Sequence, residues 1–472
     1  MKTIKYLLLG AAMATFTTNA VAQNEHQAVI DQVTKIIESK AADTESQVKD
    51  IFKANKKNAD VLTAIGRAYF NINDTANAQK YAELAVKRNQ GFGAAYVLLG
   101  DIAVKKDDGG AASQWYQNAI YFDKKNPEGY RRYAQINSKV DPAGSVATLE
   151  QLRAERPDYP VDLISAEIWD KAGNLNKALS YYEKVDKGQM EDYQLVSFAL
   201  DYFLKGEFDK SFSVSSFGNS KFPKNAALNR ISFYNLTNLK RYDEALNYAN
   251  ALFNSSENVK ISESDHLYYG YAYLGKKDYD NAIAEFQKSI ELNTDNATDK
   301  SDALKNISTA YQNKSDYTNA ANYYDQYLKS LKEISASDYA GLASIYLTQA
   351  SEVKGAEQTA AYKKADQIYS ELAEKFPSVK DFATLWRARI NSYMDPDMKT
   401  YGAKPYYQAL AESLSANAAN LDASDKSHLL EAYQYLGFYF YKIDNKTEYT
   451  KYWNKVLELD PTNTTAKQVL GK

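Results

Sequence analysis

The sequence predicts an all-α protein built from about eleven antiparallel helix pairs. Small and aromatic residues recur at fixed offsets along the chain, with a spacing near 34 residues. Each interval holds two stretches with apolar residues at i, i+3, i+4 and i+7, and a short polar turn such as GKKDYD divides them. The chain also contains 40 Tyr among its 472 residues, and large rings placed in every helix pair account for this aromatic load.

The composition excludes several classes of protein. With 57 Lys and Arg against 60 Asp and Glu, the formal net charge of -3 lacks the basic excess of a nucleic-acid-binding protein. Because the chain has no Cys, it has no disulfide framework, no Cys-ligated metal and no thiol nucleophile. Three His remain, far apart in sequence, so we expect neither a metal site nor a cofactor.

Residues 1–22 have the layout of a cleavable secretory signal. Lys2 and Lys5 precede an apolar stretch from Tyr6 to Phe16, and the segment closes on the small residues Ala20-Val21-Ala22. That stretch is too short to span a bilayer, and no later segment offers the run of about 18 apolar residues that a transmembrane helix needs. We therefore expect an exported chain, periplasmic or secreted, with no transmembrane segment.

Residues 23–58 are predicted to form an N-terminal helical cap. This segment is polar, but apolar residues follow helical spacing around Val33 and again around Val48. The outermost pair of a stack has one neighbour instead of two, so its outer face is polar and its sequence departs from the repeat. The repeat region then covers residues 59–472.

The repeat region is organised around eleven anchor positions. After the anchor Gly270, an aromatic residue follows at +3 (Tyr273), a small one at +12 (Ala282) and a second ring at +16 (Phe286). Small residues at the anchor and at +12 let two helices approach closely, and the rings fill the remaining space. The anchors are Gly66, Gly100, Ala134, Ala166, Ala199, Phe233, Gly270, Ser308, Ala343, Ala388 and Gly437.

Three longer intervals contain segments that interrupt the periodicity. These segments are NTDNATDK (residues 293–300), ASEVKGAEQTAA (residues 350–361) and SYMDPDMKTYGAKP (residues 392–405). Polar stretches with Gly or Pro break helical patterns, so each is predicted to be a loop.

The helix pairs resemble tetratricopeptide repeats, and the units anchored at Gly66, Gly270, Ser308 and Gly437 match that pattern well. The resemblance runs from Ala59 to the C-terminus, and the chain is similar to exported or periplasmic tetratricopeptide-repeat proteins of the Bacteroidetes. It implies a right-handed superhelical solenoid. It also implies that the first helices line a concave face, which binds a peptide, a protein segment or another helix.

Motifs that would indicate catalysis are missing from the sequence. The phosphate-binding loop G-x-x-x-x-G-K-S/T, the zinc motif H-E-x-x-H and the nucleophile elbow G-x-S-x-G do not occur. Asp and Glu on amphipathic helices normally form the solvated face. We therefore predict a non-enzymatic protein without catalytic residues, and we expect His266 and His428, near the starts of first helices, to be surface or capping residues.

Positions −6, −3, +1 and +4 from each anchor are predicted to face the concave wall. In the consecutive units anchored at Ala199, Phe233 and Gly270, these positions are mostly apolar or aromatic around one cation, which is typical of a binding surface. The same side chains also fit packing between adjacent helices, because a one-residue framing error turns a helix by about 100°. The predicted partner-binding residues are Tyr193, Leu200, Phe203, Arg230, Tyr234, Leu267, Tyr271 and Leu274.

Together these features favour a protein-binding scaffold or assembly factor of the bacterial cell envelope. Its expected ligand is a protein or peptide partner, through which the chain would associate with a surface. The alternative is a carbohydrate-binding envelope protein, because Tyr and Trp rings stack on sugars. Asp74-Thr75-Ala76 also resembles the short Asp-Thr/Ser-apolar acceptor for O-glycans in Bacteroidetes.

Overall fold

The computed structural model describes residues 22–293, 296–416 and 420–472, so the predicted signal segment lies outside the described residues except for Ala22. Within these ranges the regular structure is helical, apart from one isolated bridge between Asn225 and Glu257. The all-α prediction is therefore confirmed. The described chain divides into two compact units, with the boundary between Lys221 and Phe222.

The first unit holds helices α1 to α12 among its described residues. They are α1 Ala22–Ser39, α2 Thr44–Asn55, α3 Ala59–Asn71, α4 Thr75–Arg88, α5 Gly93–Lys105, α6 Gly109–Phe122, α7 Pro127–Asn137, α8 Pro142–Glu155, α9 Val161–Lys171, α10 Leu175–Tyr182, α11 Asp192–Leu204 and α12 Phe208–Lys221.

The second unit holds helices α13 to α25 among its described residues. They are α13 Ala226–Asn238, α14 Tyr242–Asn254, α15 Glu263–Gly275, α16 Tyr279–Leu292, α17 Ala297–Asn313, α18 Tyr317–Ser330, α19 Ala336–Glu352, α20 Ala356–Lys375, α21 Lys380–Met394, α22 Lys404–Ala416, α23 Ala423–Lys442, α24 Lys446–Leu459 and α25 Thr464–Leu470.

All eleven anchors lie in the odd-numbered helices α3 to α23, which are the first helices of the predicted pairs. Each of these helices packs against the even-numbered helix that follows it. In α1 and α2, Val33 and Val48 are buried in one hydrophobic cluster with Leu62 and Ile65 of α3. The apolar periodicity therefore identified both the helices and the faces that they bury.

The turn inside many pairs has a common construction. Asp74 precedes α4 and accepts a hydrogen bond from the backbone N–H of Asn77, and Asp278 caps α16 in the same way. The residue before each cap, Asn73 or Lys277, has a left-handed backbone with φ of 69° or 64°. A side-chain acceptor at this position satisfies an N–H group that the first helical turn leaves without a partner. Asp74, the first residue of the predicted O-glycan acceptor, is thus a helix cap.

Gly270 lies directly beneath the ring of Phe286, where α15 crosses α16. A Cβ atom added at Gly270 would lie 2.5 Å from ring atoms of Phe286, and one added at Gly437 would lie 2.8 Å from Trp453. Both rings are fully buried, so they have no solvent to move into. The small anchor is therefore a steric requirement of the helix crossing.

Gly270→Ala is expected to lower the free energy of unfolding by about 1–2 kcal/mol, because overpacking outweighs the better helix propensity of Ala. Urea unfolding of the purified chain measures this loss. Gly109→Ala is the control, since a Cβ there would meet no atom closer than 3.9 Å. Equal stability of the two variants would contradict the steric role of the anchor.

The three predicted loops differ in their outcome. Residues 395–403 form a loop between α21 and α22, as expected. The prediction for residues 350–361 was wrong, because α19 continues to Glu352 and α20 begins at Ala356. The segment is rich in Ala, Glu and Gln, which favour helix, and only a short link containing Gly355 (φ 70°) interrupts it. In the segment 293–300, α17 already begins at Ala297.

Candidate partner-binding surface

Helix α11 carries an exposed apolar stripe formed by Tyr193, Leu200 and Leu204, which we call the α11 stripe. Their side chains are 57%, 40% and 61% exposed. They lie seven and four residues apart, a spacing that keeps them on one face of a helix with about 3.6 residues per turn. Leu195 and Ala199 of the same helix are fully buried. Helix α11 is thus apolar on both its core face and its solvent face.

Three sequence-predicted residues belong to or adjoin this stripe. Tyr193 and Leu200 are exposed, as the concave-face hypothesis requires. Phe203 is half-buried, and its ring centroid lies 5.5 Å from that of Phe208 on α12. Leu204 was missed, because it lies at +5 from its anchor and the template stopped at +4. Continuing the helical period by one step from Leu200 would have found it.

The ring of Tyr193 is held by polar contacts with the preceding first helix. Its hydroxyl donates to Oε1 of Glu167 on α9 at 3.3 Å, and the amide of Gln194 donates to the same carboxylate oxygen at 2.6 Å. The Gln194 amide also donates to the Tyr193 hydroxyl at 3.0 Å. These bonds position an exposed ring before any partner arrives, which reduces the ordering cost of binding.

In the second unit, Arg230 and Tyr234 of α13 both bind Asp265 of α15. The guanidinium contacts both carboxylate oxygens, with Nε at 2.6 Å from Oδ1 and Nη2 at 2.8 Å from Oδ2. The Tyr234 hydroxyl donates to Oδ1 at 2.8 Å, and its ring stacks on Tyr268 with centroids 3.8 Å apart. We expected the Arg230 guanidinium to be available to a ligand. This expectation is corrected, because the guanidinium pairs with Asp265 of the neighbouring first helix.

The electrostatics of this cluster follow from the burial of Asp265, whose side chain has no solvent exposure. Burial alone would raise the pKa of the Asp265 carboxyl, but hydrogen bonds from Arg230 and from the Ser262 backbone hold that pKa below its usual value. Burial and the adjacent Asp265 charge raise the pKa of the Tyr234 hydroxyl. The carboxylate is therefore ionised and the phenol neutral at physiological pH.

The same arrangement of Arg, carboxylate and Tyr occurs at two other places, and we call it the Arg–carboxylate–Tyr brace. In the first unit, Arg67 of α3 pairs with buried Asp101 of α5 at 2.6 Å, and Tyr116 donates to Asp101 at 2.8 Å. In the second unit, Arg389 of α21 and Tyr407 of α22 both bind Glu431 of α23. In each brace the ion pair joins consecutive first helices.

The remaining predicted site residues contribute mainly to packing. Leu267 is 4% exposed and lies in the hydrophobic cluster of Ala282 and Phe286, so its expected place on an exposed face is corrected. Tyr271 is half-buried and meets Phe286 edge-on, with centroids 5.5 Å apart. Leu274 is also half-buried against this cluster. The sequence left open the alternative that these residues pack between helices. Leu267 does so completely, and Tyr271 and Leu274 do so in part.

The expectation that His266 is a surface or capping residue is corrected, because its side chain is largely buried against Glu285. His266 Nδ1 lies 2.6 Å from Oε2 of Glu285 on α16, which places it between two helices of one pair. No group of three or more His, Asp or Glu with the arrangement of a metal site occurs among the described residues. In the same described part of the chain, no helix is both long and apolar enough to cross a membrane.

Comparisons with known proteins agree with this geometry. A family model described as tetratricopeptide repeat matches residues 63–127, and a second with the same description matches residues 269–296. These matches contain the anchors Gly66, Gly100 and Gly270. None of the curated proteins matches the chain.

Several solved structures are similar to the chain. The C-terminal part of a TPR repeat-containing protein from Cytophaga hutchinsonii is 24% identical and has a TM-score of 0.45, and the match covers 58% of this chain and 98% of that one. A tetratricopeptide repeat protein from Parabacteroides merdae is 15% identical with a TM-score of 0.33, covering 53% and 98%. YrrB, described as a TPR protein with an unusual peptide-binding site, is 16% identical with a TM-score of 0.31, covering 40% and 96%.

Three observations agree on the kind of repeat that this chain contains. The eleven anchors fall on consecutive first helices, small anchors such as Gly270 lie under large rings of the second helix, and the family models match two stretches of this series. The chain therefore contains tetratricopeptide repeats at residues 63–127 and 269–296, within a longer series of similar helix pairs.

Proposed function

We propose that this protein is a non-enzymatic scaffold or assembly factor that binds a protein segment along its first helices. The α11 stripe carries this proposal, because Tyr193, Leu200 and Leu204 leave apolar surface in water on one helical face. Contiguous apolar surface of this kind marks an interaction site more often than isolated exposed side chains do. An amphipathic helix or extended segment with apolar residues at matching spacing is the partner that fits.

The braces support the proposal because the residues that stabilise the fold are different from those proposed to bind the partner. Arg67, Arg230 and Arg389 join consecutive first helices through buried or half-buried carboxylates, so those positions serve the fold. Leu200 and Leu204 of the α11 stripe form no such ion pair and are exposed on a preformed surface. Binding then costs mainly the ordering of the partner, and affinity depends on how well its apolar residues cover the stripe.

We further propose that the partner belongs to the bacterial cell envelope and that the chain reaches it by export. The support is the N-terminal sequence, in which Lys2 and Lys5, the apolar stretch and Ala20-Val21-Ala22 follow the order of a secretory signal. Fractionation of the native cells tests this part separately. We expect the chain in the periplasmic or secreted fraction, beginning at Gln23, and cytoplasmic chain that keeps residues 1–22 would contradict it.

Binding is tested with the exported chain as bait in detergent extracts of the native envelope. Leu200→Glu combined with Leu204→Glu places two carboxylates on the stripe and is expected to abolish capture of the specific partner. The matched control is Val140→Glu, which also replaces an apolar side chain, 89% exposed, by a carboxylate. Both variants are expected to unfold at the same temperature as the parent, because the altered side chains are exposed.

Unchanged capture by the doubly charged variant would overturn the proposed surface. Equal loss of capture in Val140→Glu would overturn it as well, since added charge alone would then explain the effect. An enzymatic role would be indicated by turnover of envelope polymers by the purified chain.

A further inference from the structure

A cleft of about 450 Å³ lies between helices α19 and α21 of the second unit. Its volume falls within the range of about 300–1,000 Å³ that small-molecule sites occupy. The lining residues are Ser344, Leu347, Thr348, Ser351, Tyr362, Trp386 and Tyr393. None of the predicted site residues is among them.

Three of the four lining residues on α19 (Ser344, Thr348 and Ser351) carry hydroxyl groups, and the fourth is Leu347; we call this side of the cleft the hydroxyl wall. Thr348 donates its hydroxyl hydrogen to the backbone carbonyl of Ser344 at 3.0 Å, and Ser351 donates to the carbonyl of Thr348 at 2.7 Å. Because these hydrogens are used within the helix, the hydroxyl oxygens keep lone pairs that can accept hydrogen bonds. This wall therefore suits a ligand that donates several hydrogen bonds.

The lining residues from α20 and α21 are aromatic, and we call them the aromatic wall. Tyr393 of α21 is 52% exposed, and its ring centroid lies 5.9 Å from that of Tyr362 on α20. Trp386 is held nearly parallel to the buried ring of Tyr369, with centroids 5.8 Å apart. Since Tyr369 fixes the orientation of Trp386, the aromatic wall exists before a ligand binds.

All seven lining side chains are uncharged. Arg389 lies 5.4 Å from the centroid of Trp386, but Glu431 neutralises it through two hydrogen bonds of 3.0 and 2.7 Å. A charged ligand would lose hydration in this cleft without meeting an opposite charge. The cleft therefore favours a neutral ligand.

We propose that this cleft binds a neutral saccharide. A pyranose ring has an apolar face of C–H groups and a rim of hydroxyl groups, which match the aromatic wall and the hydroxyl wall respectively. Tyr393 provides the exposed stacking surface, and Thr348 and Ser351 accept hydrogen bonds from the sugar hydroxyls. This site is independent of the protein-binding surface, so either proposal can fail without the other.

A peptide fits the same cleft less well. Main-chain recognition needs donors and acceptors that alternate along the groove, and the lining offers hydroxyl groups on one side and rings on the other. The side chains that bind peptide amides in pairs, Asn and Gln, are missing from the seven lining residues. A sugar uses both walls at once, whereas a peptide would leave its amide groups without partners.

The test is calorimetric titration of the full exported chain with neutral hexasaccharides of glucose, xylose, mannose and N-acetylglucosamine. Polygalacturonate hexamer is the charged comparison, and a proline-rich peptide is the comparison for a protein ligand. We expect at least one neutral hexasaccharide to bind at millimolar concentration or below, and to change the emission of Trp386. Tyr393→Ala is expected to weaken this binding about tenfold, which is the effect of losing one stacked ring and its contact area.

Two variants separate the cleft from general effects. Thr348→Val keeps the shape of the side chain and removes the acceptor, so it should weaken binding about threefold or more. Tyr121→Ala removes a ring that is 73% exposed in the first unit, and it should leave binding unchanged. The proposal is overturned if no neutral hexasaccharide binds, if Tyr393→Ala binds like the parent, or if only the peptide or the charged hexamer binds.

Discussion

Arg230→Ala is expected to lower the free energy of unfolding by about 3–5 kcal/mol, since it leaves a carboxylate buried without its counter-charge. The side chain of Asp265 has no solvent exposure, and both of its oxygens bind the Arg230 guanidinium. After the change, the Tyr234 hydroxyl and the Ser262 backbone N–H still donate to Asp265, but neither carries a positive charge. The loss therefore exceeds the value of an ordinary hydrogen bond.

Urea unfolding at neutral pH measures this loss, and two further variants make the result specific. Arg241→Ala removes a guanidinium from an exposed pair with Glu244, so it should move the unfolding midpoint only slightly. Adding Asp265→Asn to Arg230→Ala should recover part of the stability, because Asn has no charge and can still accept from Tyr234 and Ser262. If Arg230→Ala and Arg241→Ala lose equal stability, the brace is not a buried ion pair in solution.

The pH dependence of this brace has a definite sign. Because the pKa of Asp265 is lower in the folded chain than its ordinary value, the carboxylate contributes stability above the unfolded pKa. That contribution is lost as the pH falls through the folded pKa. We therefore expect the parent chain to lose more stability under acid conditions than Arg230→Ala with Asp265→Asn does.

Asp201→Asn is expected to stabilise the chain at pH 8, by an amount on the order of 3 kcal/mol. Asp201 is 1% exposed on α11, and its Oδ2 lacks a hydrogen-bond donor among the described residues. Burial and the neighbouring Asp170 of α9 raise the pKa of the Asp201 carboxyl to about 7. At pH 8 the parent therefore holds an ionised carboxylate that the site disfavours, whereas the Asn amide stays neutral and can donate to Asp170.

The sign of the effect also predicts its pH profile. The folded pKa of Asp201 exceeds its ordinary value of 3.8, so folding retains a proton at intermediate pH and its contribution to stability falls as the pH rises towards about 7. The difference between Asp201→Asn and the parent should therefore grow from pH 5 to pH 8 in urea unfolding. The control is Asp209→Asn, which changes an exposed Asp on α12 and should change stability little.

A difference that is constant with pH would contradict a titrating carboxyl at position 201. Lower stability of Asp201→Asn at pH 8 would contradict the unfavourable burial of its charge. Either result would leave the braces unaffected, because Asp265 and Glu431 pair with Arg, whereas Asp201 pairs with no Arg in the part of the chain that the structure describes.

The fold was largely predictable because the same steric pattern, a small residue and a large ring at a fixed offset, recurs along the sequence. Gly270 and Phe286 are sixteen residues apart, and that offset places a small residue under a large ring wherever two such helices cross. Helix ends were harder to predict. The Ala-rich segment 350–361 interrupts the regular spacing of the repeats, so we predicted a loop there. Its residues favour helix, however, and they lengthen α19 and α20.

The candidate site was less predictable, because exposure depends on partners that are distant in sequence. The position of Arg230 relative to its anchor predicts a cation on the concave face. Only the structure shows that its guanidinium pairs with Asp265, which lies 35 residues later in the sequence. A small rotation of the helix about its axis decides whether Leu267 is exposed or buried, and a repeat pattern read from the sequence cannot resolve that rotation. Trp386 and Tyr393 were missed because the unit anchored at Ala388 is degenerate and a long loop follows it.

The central claim is that the exposed α11 stripe binds the partner, while the braced positions stabilise the fold. Site-specific photo-cross-linking in the native envelope tests the binding part of this claim most directly. A photoreactive amino acid replaces Leu200 in one strain, Val140 in a second and Lys224 in a third, all of them exposed positions. We expect a discrete adduct with one envelope protein from position 200 and none from positions 140 and 224. The same adduct from all three positions, or none from position 200 while the parent still captures its partner, would contradict the account.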